Sequence, residues 1–121
     1  MKDQDIIRSC CENVYFQLGY GLSESAYQHA LSSELMDYFS NIQCEYHINE
    51  YYTTTLSKKK IQISNLRIDI LVNDNIILEL KSISKLNNKE VLQIKRYKKL
   101  LDCEQAYLIN FGTNDLEFQS I

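Results

Sequence analysis

The sequence contains no proline, no tryptophan and only three glycines among its 121 residues. Punctuation of the chain therefore falls to Asn, Asp and Ser, and proline-rich or glycine-linker architectures are excluded. No low-complexity run, internal repeat or linker-like stretch interrupts it, so length and composition predict a single domain over residues 1–121. No apolar run approaches the ~20 residues needed to cross a bilayer. The N-terminal MKDQDIIRSCCENV is charged and lacks the apolar core of an export signal. These absences predict a soluble, intracellular chain with no membrane partner, in a reducing compartment such as cytoplasm or nucleus. Cys10, Cys11, Cys44 and Cys103 would stay reduced there. They form no CxxC and the two histidines stand alone, so no zinc pattern exists. The cysteines read instead as small buried apolar side chains. A strongly basic balance is missing too: the net charge is −3, which speaks against a passive DNA-coating protein.

What is present is clear periodicity. Residues 3–18 read as a helix, with Ile6, Ile7, Cys10, Val14 and Leu18 at three-to-four spacing. Gly19 and Gly21 break it. A second helix over residues 23–39 carries the stripe Tyr27, Leu31, Leu35 and Tyr38. Aromatic and β-branched residues predict a strand over 43–56. A turn over 57–60 and an extended segment over 61–65 lead into a strand at 66–72. The NDN turn precedes a strand at 76–83. A helix over 88–101 and strands at 106–111 and 116–121 complete the chain. The order α-α-β-β-β-α-β-β predicts an α/β (α+β) fold with a central mixed sheet flanked by helices.

The hairpin LRIDILVNDNIILELKS is unusual, because Asp69, Glu79 and Lys81 sit in the middle of an apolar strand pair. A three-residue turn at 73–75 would set Val72 opposite Ile76, Asp69 opposite Glu79 and Arg67 opposite Lys81. Alternation puts Ile68, Ile70, Val72, Ile76, Leu78 and Leu80 on one face. Asp69, Leu71, Ile77, Glu79 and Lys81 fall on the other. Two carboxylates directly across a strand pair repel, and covering them adds several kcal/mol of desolvation per unpaired ion. Lys81 could compensate, and so could a divalent cation, since clustered hard oxygens are what Mg²⁺ binds. An ordinary ion-pair cluster on a solvated face accounts for the hairpin equally well.

Two further polar residues fall on apolar stripes. Glu24 opens the second helix on the face of Tyr27, Leu31 and Leu35, so it is expected to point toward the buried side. A first-turn carboxylate favoured by the helix dipole is the plainer explanation. Gln93 lies about 40° from Tyr97 and about 20° from Leu100 around its helix. It is expected on the buried stripe, where an amide needs partners. One shared polar pocket would explain Glu24, Asp69, Glu79, Lys81 and Gln93 together.

The spacing Asp69…Glu79-Leu80-Lys81 resembles the D…ExK signature of the PD-(D/E)XK nuclease superfamily. GLSESAY, residues 21–27, resembles the GxxExxY motif that names one family within it. LRIDILV, IILELKSISKL, QIKRY and AYLINFG resemble that family's later blocks in the same order. The resemblance spans roughly residues 10–121 and implies a restriction-endonuclease-like core. It implies that Asp69 and Glu79 hold Mg²⁺ or Mn²⁺, with the Leu80 carbonyl as an extra ligand and Glu24 supporting the metal shell. Lys81 would orient or help deprotonate the attacking water. Gln93 and Tyr97 match positions that contact the site. Tyr20 departs from the family's usual proline, and the 57–60 turn is longer and more basic than usual.

Phosphodiester hydrolysis needs charge neutralised on phosphoryl oxygens and a water made nucleophilic. Carboxylates with a metal, a lysine point charge and a neutral amide suit those tasks. Lys58, Lys59, Lys60, Lys95, Arg96, Lys98 and Lys99 are candidates for tracking a nucleic-acid backbone, or simply form a solvated face. No base-reading element is recognisable, so the expectation is a nuclease acting on nucleic acid, DNA first, with little sequence specificity. The alternatives are an inactive binding module on the same fold, and an RNA- or nucleotide-directed hydrolase. A homodimer would supply two sites for two strands, and EYHINEYY is a candidate interface. His29 and His47 have no part in this scheme.

Overall fold

The computed structural model describes residues 2–121. Its elements are α1 (Asp3–Leu18), α2 (Glu24–Met36), β1 (Ile42–Thr53), β2 (Lys60–Val72), β3 (Ile76–Lys81), α3 (Asn88–Leu101), β4 (Gln105–Asn110) and β5 (Glu117–Ser120). The order is the expected α-α-β-β-β-α-β-β. The five strands form one sheet in sequence order, β1-β2-β3-β4-β5. Neighbours are antiparallel except β3 and β4, which run parallel because α3 carries the chain back across the sheet.

Both sheet faces are covered, and that is why β3 is apolar on both sides. On one face, Ile7, Cys10 and Val14 of α1 and Tyr27, Leu31 and Leu35 of α2 pack on Ile70, Val72, Ile76, Leu78 and Leu80. On the other, Ile94 and Tyr97 of α3 pack on Ile48, Ile68, Leu71, Ile77 and Leu108. Cysteine burial holds for Cys10, Cys11 and Cys103, whereas Cys44 is exposed on the edge strand β1.

Several expectations need correction. The second helix stops at Met36, so Tyr38 leaves the stripe and is 60% exposed, while Phe39 turns in and is buried. Leu18, at the end of α1, is also exposed. β1 ends at Thr53 and the tight turn occupies 54–59 rather than 57–60, while β2 runs from Lys60 through the expected extended segment. Ile68 packs in the α3 layer rather than with Ile70 and Leu78. The change of side accompanies a distortion of the neighbouring strand: Glu45, between the pairs Cys44↔Ile70 and Tyr46↔Ile68, takes the left-handed φ of 52°. No helix among the described residues is long and apolar enough to cross a membrane.

Candidate active site

The turn at 73–75 sets the β2–β3 register as its length dictates: Val72↔Ile76, Leu71↔Ile77 and Ile70↔Leu78. Asp69 and Glu79 come next, and there the ladder ends. In its place Asp69 N–H donates to Glu79 Oε1 at 2.9 Å. Leu80 N–H donates to Asp69 Oδ2 at 2.8 Å. Each carboxylate thus satisfies a backbone donor of the opposite strand, and the hairpin splays at this point. The splay opens a polar cleft of about 290 Å³, lined by Asp69, Glu79, Lys81, Glu24 and Gln93. Tyr97, Arg67, Asn65 and Leu66 complete its wall.

Burial and mutual repulsion dominate the electrostatics. Glu79 is buried, and desolvation followed by the charge of Asp69 pushes its pKa up to about 8. Burial likewise raises Asp69, against the opposing pull of the Leu80 N–H; Glu24 raises it further, while Lys81 and Arg67 lower it. Tyr97, beneath the pair, is pushed up to about 12 by burial and then by Glu79 and Asp69. With Asp69, Glu79 and Glu24 all ionised, three carboxylates would face only Lys81 and Arg67 in the cleft. Asp69 Oδ1 and Glu79 Oε2 are not used by the backbone amides. Paired hard oxygens in a site short of positive charge fit a divalent cation such as Mg²⁺ or Mn²⁺. Two carboxylates are the nucleus of this donor set: no group of three or more His, Cys, Asp and Glu side chains suited to a metal occurs among the described residues.

Glu24 and Gln93 do reach the cleft, but both are exposed rather than turned into the core. Glu24 follows the cap Ser23, whose side chain accepts Ala26 N–H, and Glu24 Oε2 accepts Ser82 N–H at 3.4 Å. The buried stripe of α3 is Ile94 and Tyr97, flanked by Val91 and Leu101; Leu100 is exposed, and Gln93 sits at the stripe's margin. α3 itself starts at a capping box in which Asn87 and Glu90 bond each other's backbone.

The spacing of GLSESAY has a mechanical basis. Tyr27 is fully buried, stacked on Phe111 with centroids 4.3 Å apart. Its hydroxyl donates to the Gly19 carbonyl at 2.7 Å and accepts Leu22 N–H at 3.1 Å. Gly21, at φ 89°, donates its N–H to the Phe111 carbonyl. Ser82 Oγ completes the clamp by donating to the Leu22 carbonyl. The clamp fixes the start of α2 against the end of β3, which carries Glu24 to the cleft. Asn110 secures the same loop from beneath: wholly buried, it accepts Ile83 N–H and Gly112 N–H and donates to the Ile83 carbonyl and Glu117.

The basic candidates divide. Lys58, Lys59 and Lys60 are exposed at the β1–β2 turn. Arg96 is ion-paired with Glu50, and Lys98 donates to the Ile121 carbonyl at 2.8 Å. Those two are committed to internal partners, while Lys95 and Lys99 are exposed. Sequence reasoning missed Arg67 and Asn65 as cleft residues, although Arg67 lies two residues from Asp69 on one strand, the spacing that shares a face. Arg67 pairs with Glu45 at 3.2 Å. It also missed Asn110 and Ser82, whose roles depend on partners 27 and 60 residues away in sequence.

A sequence profile of the PD-(D/E)XK nuclease superfamily matches residues 2–121. No curated protein matches the sequence. In three dimensions the chain is similar to the crystal structure of SSO0001, with a TM-score of 0.61 at 14% identity, over 100% of this chain and 77% of that one. At that identity the likeness speaks for the fold. With a splayed β2–β3 hairpin that presents Asp69 and Glu79-Leu80-Lys81, on a mixed sheet between helical layers, the chain belongs to the PD-(D/E)XK nuclease superfamily and has its restriction-endonuclease-like fold.

Proposed function

We propose that this chain is a metal-dependent nuclease of the GxxExxY type that hydrolyses DNA phosphodiester bonds with little sequence specificity. The observation that carries the reading is the crosswise pair Asp69–Glu79, held by backbone amides with one oxygen of each carboxylate left over, beside Lys81. Mg²⁺ or Mn²⁺ held by Asp69, Glu79 and the Leu80 carbonyl would neutralise phosphoryl charge and acidify water. Glu24 supports that shell from the start of α2. Lys81 places a mobile ammonium beside the carboxylates, where it attracts and orients the attacking water. Gln93 holds water by an amide that adds no charge. Tyr97, buried in the α3 layer, lines the same cleft. One chain carries one such site, so cutting both strands of a duplex takes two copies.

The test is cleavage of linear duplex DNA, single-stranded DNA and RNA with each metal. Wild-type protein should cut DNA, and Asp69→Ala, Glu79→Ala and Lys81→Ala should not. A wild-type chain inert on all three substrates with both metals would overturn the reading. Among the described residues no three metal-type side chains group together, which favours a second reading, a nucleic-acid-binding module without turnover. Calorimetric titration with Mn²⁺, using Asp69→Ala as control, separates the two: the nuclease binds metal through that pair, and the module does not.

A further inference from the structure

The β1–β2 hairpin is longer than the sheet that supports it. β3 pairs with β2 only at Ile70, Leu71 and Val72, while β1 follows β2 to Thr53↔Lys60. Beyond Glu50 the ribbon has no layer on either side. Tyr51 and Gln62 share one face, Tyr52 and Ile61 the other, and all four are exposed. A bulge between Glu50 and Tyr51 leaves Ile63 unpaired and 55% exposed. Glu50 braces the base of this arm twice, since it pairs with Arg96 of α3 and accepts Ser64 Oγ at 2.9 Å.

The tip is ordered rather than loose. Thr54 N–H donates to the Lys59 carbonyl, and the Thr54 hydroxyl accepts Lys59 N–H and meets Ser57 Oγ at 3.0 Å. Lys58 takes the left-handed φ of 57°. Residues 51–65 contain Lys58, Lys59 and Lys60 and no carboxylate. A chain of net charge −3 thus concentrates unopposed positive charge at the end of one rigid finger. The same strand leads inward through Asn65 and Arg67, both on the cleft wall, to Asp69. At roughly 3.3 Å per residue, Lys60 lies about 30 Å from Asp69 along β2, close to one turn of duplex DNA.

We propose that this arm is a second binding element of the nuclease, a β-ribbon that lies in the major groove of double-stranded DNA about one helical turn from the scissile phosphate, with Lys58, Lys59 and Lys60 on the phosphate backbone. The inference rests on the nuclease reading and adds the substrate class: duplex rather than single strand. A two-stranded ribbon has the width the major groove admits. A stacking platform for single strands needs a row of bare aromatic faces. The arm offers one tyrosine per face, and the Tyr51 ring is already covered by Lys60 Nζ at 4.3 Å.

The experiment measures binding by fluorescence anisotropy in EDTA, where metal-dependent cutting is off, alongside cleavage with Mg²⁺. It compares wild type with the triple variant Lys58→Ala/Lys59→Ala/Lys60→Ala on an 8-bp duplex, a 24-bp duplex and a 24-nucleotide single strand. Wild type should gain affinity as the duplex lengthens, and the variant should lose that gain, about 10-fold at moderate salt. The slope of log K against log salt should flatten by about 3, roughly one for each lysine removed from a phosphate. Single-strand affinity should barely move. The arm proposal falls if wild type cuts DNA while the variant keeps its slope and length dependence, or if single-strand binding drops equally. It also falls if the arm holds a second copy of the chain, seen as a wild-type dimer in sedimentation that Tyr52→Ser/Ile61→Ser dissociates with no change in DNA affinity. Wild type that neither binds nor cuts removes the nuclease reading itself, and the arm proposal with it.

Discussion

The two halves of β2 follow opposite rules. From Leu66 to Val72 the strand enters the core: β1 flanks it throughout, β3 pairs with it at Ile70, Leu71 and Val72, and its one carboxylate is bound to backbone of β3. From Lys60 to Asn65 it has one partner strand and water on both faces. In the inner half a charge must be matched, because desolvation is expensive. In the outer half a charge can stay unmatched, because water screens it. Charge in the inner half is therefore evidence of chemistry. Charge in the outer half becomes informative only when it is concentrated and unopposed.

The contrast breaks most sharply at Asp69. Asp69→Asn keeps an oxygen to accept Leu80 N–H, so the hairpin should survive with unchanged circular dichroism. It removes the negative charge, and kcat/KM for DNA cleavage should fall by at least about 10³-fold. Retention of wild-type turnover in this variant would mean that the inner half carries its charge for structural reasons alone.

A second break tests how the inner half is held. A Cβ on Gly112 would stand 2.2 Å from both the nitrogen and the oxygen of Ile83, with backbone on each side of the clash. Gly112→Ala must therefore push apart the loop that Asn110 pins after Lys81. We expect a loss of about 3 kcal/mol, read as a fall in the denaturant midpoint, and slower cleavage because Lys81 moves with its loop. An alanine at an exposed position of the arm, Gln62→Ala, should leave the midpoint within about 0.5 kcal/mol.

The third prediction is a pH dependence. Folded Glu79 gives up its proton near pH 8, against 4.5 for the ordinary carboxyl. The folded state therefore binds the proton more tightly than the unfolded state between those values, and stability of the metal-free protein should fall as pH rises through that window. Glu79→Gln keeps an acceptor for Asp69 N–H and removes the titration. In EDTA at pH 8 it should melt about 5 °C above wild type, and near pH 4 the two should coincide. Saturating Mn²⁺ should stabilise wild type and not the variant. Equal melting at pH 8 would show that the pair is not under electrostatic strain.

Much of the inner half was legible in the sequence, and the reasons are local. Strict alternation and the NDN turn fixed which residues pair from Val72 back to Ile70, and the apolar spacing of Ile94 and Tyr97 marked the buried side of α3. Legibility stops where tertiary contacts replace local pattern. Alternation predicts Asp69 facing Glu79 across a ladder, but each carboxylate finds a backbone donor on the other strand and the ladder ends. Helical angle puts Glu24 and Gln93 on the side of the shared polar pocket that they do line, but it cannot tell a buried stripe from its exposed margin at an open cleft. Alternation puts Ile68 in the wrong layer because nothing in the pattern signals a left-handed residue at Glu45. The extended segment 61–65 runs into the strand as its sequence predicts, and only the ends of the turn before it shift, from 57–60 to 54–59.

The smallest expected effect lies at the boundary between the halves. Glu50 has a side chain only 11% exposed, and it ties the arm to Arg96 of α3. Arg96 is half exposed and keeps water when its partner is removed. Glu50→Ala should thus cost less than about 1 kcal/mol of global stability, because the cation left behind stays solvated. Its local effect should be larger, because Ser64 loses its acceptor and the bulge loses its anchor. Hydrogen exchange at residues 51–53 and 60–63 should quicken several-fold while the amides of Asp69 and Leu80 stay protected. If protection at Asp69 falls in step with the arm, the two halves form one cooperative unit and the boundary drawn at Glu50 is in the wrong place. If only the arm loosens, DNA binding should weaken on long duplexes with no change in the pH profile of cleavage, because the brace acts on reach and leaves the carboxylate pair untouched.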